Sequence, residues 1–240
     1  MLEDIEMSIT EHLEELRQRI FYSIGFFCLM TFIVFYNIST IVTLLQLPAI
    51  GVKFLQLAPG EYFFSTVKIT FYCALIATLP FTLYQILLFI LPGLTQKERL
   101  IIIPILFISL VLFIIGIGFG YYILIPAALN FFIRYGANLV EPLWSFEQYF
   151  DFILLLIIST GIAFQIPIIQ ILLGLFKLVS IAQMISIWKY VILLSTIIGA
   201  ILTPSTDPIT QLLMSIAIFV LYMIGICILF FINKTNLSLY

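Results

Sequence analysis

Six long apolar runs, separated by short polar breaks, constrain this chain more than any other feature. They lie at about 20–36, 66–91, 100–125, 150–176, 189–203 and 209–232 of its 240 residues. A helix needs about 20 apolar residues to cross a 30 Å hydrocarbon core, and most of the runs exceed that. Only 9% of the residues are charged, where soluble domains carry about 25%. The mean hydropathy is +1.25. These features describe an all-α integral membrane protein with six transmembrane helices, organised as a single domain over 1–240.

An even number of spans puts both termini on one side, and Lys and Arg decide which. With the N-terminus inside, Arg17, Arg19, Lys97, Arg99, Lys177, Lys189 and Lys234 are inside, while Lys53, Lys68 and Arg134 are outside. Seven against three predicts N-in, C-in. The fifth run is short: Lys189 to Thr203 spans roughly 22 Å as a helix. It therefore needs local bilayer thinning or shelter behind neighbours.

Several activities are excluded early. His12 is the one histidine, and it stands near the N-terminus. Neither a catalytic triad, a His-rich metal site nor a histidine proton relay assembles readily around it. Cys28, Cys73 and Cys227 lie in apolar runs without CxxC spacing, so they read as free thiols. The acidic start (Glu3, Asp4, Glu6) argues against a cleavable signal peptide and against a transit peptide. No HExxH or GxSxG motif occurs, and an enzyme is not expected.

The stretch "HLEELRQRI" before the first run reads as an amphipathic helix over about 8–19. Ser8 and Glu11 have capping-box spacing. Ile9, Leu13, Leu16 and Ile20 form one apolar stripe. Glu14 can pair with Arg17 at i+3, and Glu15 with Arg19 at i+4. A self-neutralising solvated helix is one reading of this pattern. The other is an acidic docking surface for a basic peptide, since arginine binds carboxylates through a bidentate fork. Glu98, in the turn after the second run, adds a carboxylate on the same inner face, with Phe89 as apolar contact.

Gln165 sits mid-run in "AFQIP", where Pro167 frees the carbonyl of Ala163 and predicts a bend. Gln165 either caps that bend or faces a cavity or another helix. Pro80, Pro104 and Pro126 also predict bends or ends. Gly116, Gly118 and Gly120 suit close helix approach. Asp207 reads as the N-cap of the last run. A small-solute transporter or channel is the alternative function, but it calls for inverted repeats and ionisable residues near mid-membrane. No convincing repeat is visible, and the charges lie near span ends and in loops.

Taken together, these stretches resemble the TatC family, the polytopic receptor subunit of the twin-arginine protein translocase. "HLEELRQRI" is similar to its N-terminal HLxELRxR block, "APGEYFFSTVKITF" to its PxExFxxxxK block, and "LYQILLFILPGLTQKER" to its YQxxxFxxPGLxxxER block. "FGYYILIPAALNFF", "TGIAFQIPI" and "WKYVILLSTIIGAILTPSTDPITQLLMSIAIFVLY" continue the match in order. The resemblance implies a concave bundle with short fifth and sixth helices. It implies a signal-peptide site of Glu15, Leu16, Arg17, Phe89 and Glu98, with Glu14 a solvated neighbour. It implies docking of single-span TatA/TatB-type partners near Gln165, Thr203 and Gln211, homo-oligomers, and structural roles for Pro48, Pro92, Pro167 and Asp207. No cofactor, nucleotide, metal or nucleic acid is implied; transport draws on the proton motive force.

Two departures from the family pattern stand out. Many members carry glutamate at Gln165, so a role needing charge there is in doubt while a hydrogen-bonding role survives. Ser205 and Thr206 stand between Pro204 and Asp207, where a common form has one residue. Ile, Leu and Phe outweigh Ala and Val, as AT-rich coding produces. A chain made inside an algal plastid and placed in the thylakoid fits this bias, with a bacterial plasma membrane as the alternative.

Overall fold

The computed structural model describes residues 9–49, 51–90, 96–136, 143–175, 178–203 and 207–236. In chain order the elements are α1 (Ile9–Tyr36), α2 (Ile38–Gln46), β1 (Lys53–Leu55), α3 (Glu61–Ile90) and α4 (Gln96–Phe119). A π-helical turn (Gly120–Leu124) leads into α5 (Ile125–Gly136). Then follow β2 (Leu143–Ser145), α6 (Phe146–Ala163), α7 (Ile166–Leu175), α8 (Ile181–Ser186), α9 (Trp188–Leu202) and α10 (Pro208–Asn236). Among the described residues five stretches are long and apolar enough to cross a membrane: Thr10–Tyr36, Glu61–Ile90, Ile102–Tyr135, Phe146–Leu175 and Pro208–Ile232. The 15-residue α9 is a shorter apolar helix.

The chain divides into two compact units: Met1–Leu44 with Gly60–Leu110, and Leu45–Pro59 with Val111–Tyr240. In the first, α1 packs on α3. Ring pairs mark the seam: His12 with Phe89 at 4.3 Å, Phe26 with Phe81 at 4.3 Å, and Phe27 with Phe71 at 5.2 Å. Numbers rise on α1 as they fall on α3, so the two helices run antiparallel. Lipid tails are as apolar as these side chains, so close packing rather than a hydrophobic drive holds such a pair. The outer side of α1 carries exposed Phe21, Phe32 and Tyr36. On α3, buried Thr70 and Thr78 give their hydroxyls to the carbonyls of Thr66 and Ala74, both at 2.7 Å. This satisfies each polar group within its own helix.

In the second unit Phe150, Ile153, Leu156, Ile171, Met214 and Leu229 are almost wholly buried. Glycine permits the close approach of α4 to α6. A Cβ built at Gly116 lies 2.8 Å from the Thr160 carbonyl oxygen, and one at Gly120 lies 2.5 Å from Thr160 Oγ1. Gly118 faces open space, so two of the three glycines serve the approach.

The sequence reading missed a parallel ladder that pairs Lys53 with Leu143, Phe54 with Trp144 and Leu55 with Ser145. Tyr149 braces it: its hydroxyl donates to the Leu45 carbonyl at 2.9 Å, and its ring meets Phe54 at 4.8 Å. Among the described residues the fold is thus helical with one two-stranded exception.

Other expectations need correcting. Of the two alternatives for Pro80 and Pro104, a bend or an end, the end is ruled out: both lie inside continuous α3 and α4. A proline costs a spanning helix one N–H donor, and neighbouring groups re-satisfy the freed carbonyl. The sixth helix is not short: α10 has 29 residues, because its apolar run meets no breaker after Pro208. The run over 150–176 is two helices, parted at Phe164–Gln165, where Pro167 predicted a bend within one helix. There Gln165 N donates to Ile162 O at 2.9 Å, and Gln165 O opens α7 by accepting from Ile168 N at 3.0 Å. Ahead of Pro126, Ile125 N donates to Gly120 O, the five-residue reach of a π turn. The wider turn leaves room for a ring whose nitrogen has no hydrogen to give.

Candidate functional site

The first three turns of α1 and the last turns of α3 build the first candidate site. Residues 12, 15 and 19 share one face of α1 because they fall three and four apart. Residues 85 and 89 share a face of α3 for the same reason. His12 stacks on Phe89 with an 18° interplanar angle. Arg19 Nη2 meets Glu15 Oε1 at 3.0 Å, and Arg19 Nη1 donates to Gln85 Oε1 at 3.3 Å. The side chains of Arg19 and Glu15 are 27% and 17% exposed, so this ion pair is largely sheltered.

The neighbouring pair behaves differently. Arg17 Nη2 meets Glu14 Oε1 at 2.9 Å with both side chains about two-thirds exposed or more. Pairs in that setting contribute about 0–1 kcal/mol. Both intrahelical pairs allowed by the spacing are therefore formed, but only Glu15 is drawn into the seam with α3. Leu16 is half-buried and Arg17 is exposed. Glu98 lies on α4 by its backbone; its side chain, Pro92 and Ser8 of the Ser8–Glu11 capping pair fall outside the described residues. His12, Arg19 and Gln85 were not singled out as site residues by sequence reasoning. The i−3 and i+4 spacing about Glu15 is the signal for the first two; Gln85 had none beyond its place in "YQ".

The second candidate cluster lies on α9 and α10. Thr203 is buried at the end of α9 and gives its hydroxyl to the Gly199 carbonyl at 2.9 Å. Gln211, half-buried in the first turns of α10, reaches the Thr196 carbonyl at 3.5 Å. Gly199 permits this approach, since a Cβ there lies 2.6 Å from Ser215 Oγ. Gln165 sits apart in sequence, half-buried at the break between α6 and α7. Asp207 caps α10: its Oδ2 accepts from Thr210 N at 2.8 Å and its Oδ1 from Thr210 Oγ1 at 2.6 Å. Pro167 is buried in the first turn of α7, where a missing N–H is harmless. Pro48 is half-buried in the turn after α2, and residues 204–206 lie outside the described set.

Chemically, the first site is a sheltered carboxylate already holding one guanidinium beside an aromatic face, an arrangement suited to arginine. Among the described residues no group of three or more His, Cys, Asp or Glu comes together to hold a metal ion.

Known proteins resemble this chain. The tatC-like protein ycf43 of Porphyra purpurea is 63% identical over 96% of this chain and 91% of its own length. The Sec-independent protein translocase protein TatC of Synechocystis is 52% identical over 93% of this chain and 88% of its own. The chloroplastic TATC of Arabidopsis thaliana is 48% identical over 93% of this chain and 66% of its own. A crystal structure of the twin arginine translocase receptor TatC superposes with a TM-score of 0.76 at 35% identity, covering 91% of this chain and 97% of that one. The family model described as Sec-independent protein translocase protein (TatC) matches residues 11–217, which take in both candidate clusters. The multi-pass helical fold, the motif order and these relatives agree: the chain belongs to the TatC family.

Proposed function

We propose that this chain is the signal-peptide receptor of a twin-arginine translocase, a protein-transport component and not an enzyme. The observation that carries the reading is the sheltered Glu15 carboxylate, held at the N-terminal end of α1 against α3 in a member of this family. Glu15 and Glu98 each take one arginine of the twin-arginine signal peptide of a folded cargo protein. Leu16, Arg17 and Phe89 supply the surrounding contacts.

Six spans, α9 among them, act as one domain with both termini on the inner face. Single-span TatA/TatB-type subunits dock near Gln165, Thr203 and Gln211, further copies of the chain join the complex, and the proton motive force drives transport. The membrane is the thylakoid of a plastid, whose inner face is stromal; the chloroplastic relative supports this, and a bacterial plasma membrane is the alternative. A small-solute transporter or channel is not favoured by any relative described above.

Site-specific crosslinking of an Arg-Arg signal peptide to the full chain in membranes tests the reading. Glu15→Ala and Glu98→Ala are each expected to lose most of the crosslink, and a Glu-Glu peptide to give none with the unaltered chain. Undiminished crosslinking to both variants rejects the site.

A further inference from the structure

Resting on the reading that Glu15 takes a ligand arginine, we propose that Glu15 and Gln85 form a two-sided arginine subsite. In this subsite Gln85 is a binding residue, and Arg19 is the resident guanidinium that a ligand arginine replaces. The geometry is already that of a filled subsite. Arg19 reaches Glu15 Oε1 through Nη2 and Gln85 Oε1 through Nη1. The two nitrogens of one planar fork are thus split between a carboxylate on α1 and an amide oxygen on α3. Gln85 lies 66 residues from Arg19 in sequence and is buried. A buried amide oxygen aimed at a guanidinium is a costly placement unless it has a donor to receive.

Glu15 Oε2 shows why a ligand can win the exchange. It is buried, and among the described residues it has no hydrogen-bond partner. Arg19 is tethered one turn further along the same helix and engages a single carboxylate oxygen. A guanidinium arriving from a separate peptide carries five N–H donors in the same planar fork. Free of that tether, it can satisfy both oxygens of Glu15 while donating to Gln85. The exchange is neutral in charge, because one guanidinium leaves as another enters. A lysine ammonium is a compact point charge and does not match the planar, two-sided arrangement. Gln85 therefore contributes to the choice of arginine over lysine, and Arg19 sets the threshold a ligand must exceed.

The test measures binding of fluorescein-labelled peptides to the full chain in nanodiscs. One peptide carries Arg-Arg before a leucine-rich segment, and its twin carries Lys-Lys. Arg19→Gln is expected to tighten Arg-Arg binding roughly tenfold, as when a site open one time in ten becomes fully open. Gln85→Leu is expected to weaken Arg-Arg binding about fivefold to tenfold and Lys-Lys binding less, through loss of a hydrogen bond to a charged group. Gln85→Glu, which keeps the acceptor, restores Arg-Arg binding. A network that merely holds α1 to α3 moves Arg19→Gln and Gln85→Leu in the same direction, and that result overturns the proposal, as does no change in either. If Arg19→Gln does not fold, the contrast of Gln85→Leu with Gln85→Glu decides alone. Glu15→Gln separates the two levels. Unaltered Arg-Arg binding there rejects the receptor reading itself, whereas its loss alongside parallel effects of the other variants rejects the subsite only.

Discussion

Asp207 gives both carboxylate oxygens to one residue, Thr210, and so fastens the first turn of α10 with two bonds. The first four N–H groups of any helix lack partners within it, and a buried helix start feels that lack most. Asp207→Ala is therefore expected to cost about 1 kcal/mol, as helix caps do. Thermal unfolding in detergent should show a lower midpoint for Asp207→Ala and recovery of most of the loss in Asp207→Asn. An unchanged midpoint in the alanine variant removes the capping account. This contact was readable in the sequence, since an Asp-Pro pair opening an apolar run is a local signal. The Glu14–Arg17 and Glu15–Arg19 pairs were readable for the same reason: three and four residues apart, they need only a helix to meet. Arg19 with Gln85 was not, because nothing local joins residues 66 apart.

Among elements, the contact between α4 and α6 separates positions that look alike in sequence. Gly116, Gly118 and Gly120 form one alternating set, yet only two face Thr160. A methyl at 116 meets a backbone oxygen, which cannot rotate away, whereas one at 118 meets nothing within 4 Å. Gly116→Ala is expected to destabilise by about 1–3 kcal/mol, the usual range for overpacking, and Gly118→Ala to have no measurable effect on the same detergent unfolding curve. Equal behaviour of the two variants contradicts the packing described.

Helix periodicity shows which glycines share a face only when the partner's place is known, so sequence alone grouped all three. The β1–β2 ladder was hidden for a stronger reason. Three residues at 53–55 pair in parallel with three at 143–145, and neither stretch is long enough to show alternation. The apolar runs, by contrast, announced the long helices because hydrocarbon demands some 20 apolar residues of each. They did not announce the π turn at Gly120–Leu124, whereas Pro167 had pointed to a bend where the chain parts at Phe164–Gln165.

For the molecule as a whole, six spans predict that both tails face the same compartment, and the placement of ten basic residues predicts that it is the inner one. The check is a chain with Cys28, Cys73 and Cys227 replaced and one new cysteine in either tail. An impermeant thiol reagent added from the inner side should label both, and added from the outer side neither. Labelling of the two tails from opposite sides would mean an odd number of crossings and exclude α9 as a span. The exposed apolar surfaces of the helices, such as Phe32 and Tyr36 on α1 or Phe231 on α10, suit contact with lipid tails and would be a liability in water.

In the proposed topology α9 also alters the electrical environment of the complex. Fifteen residues supply about 22 Å of apolar length, against a hydrocarbon core of about 30 Å. Where lipid thins to match, the same membrane voltage falls over a shorter path, and the local field is steeper by about a third. The total work on a charge crossing there is unchanged, but the force on it at each ångström is greater. A charged segment moving past α9 would be pulled harder than one moving past the long helices.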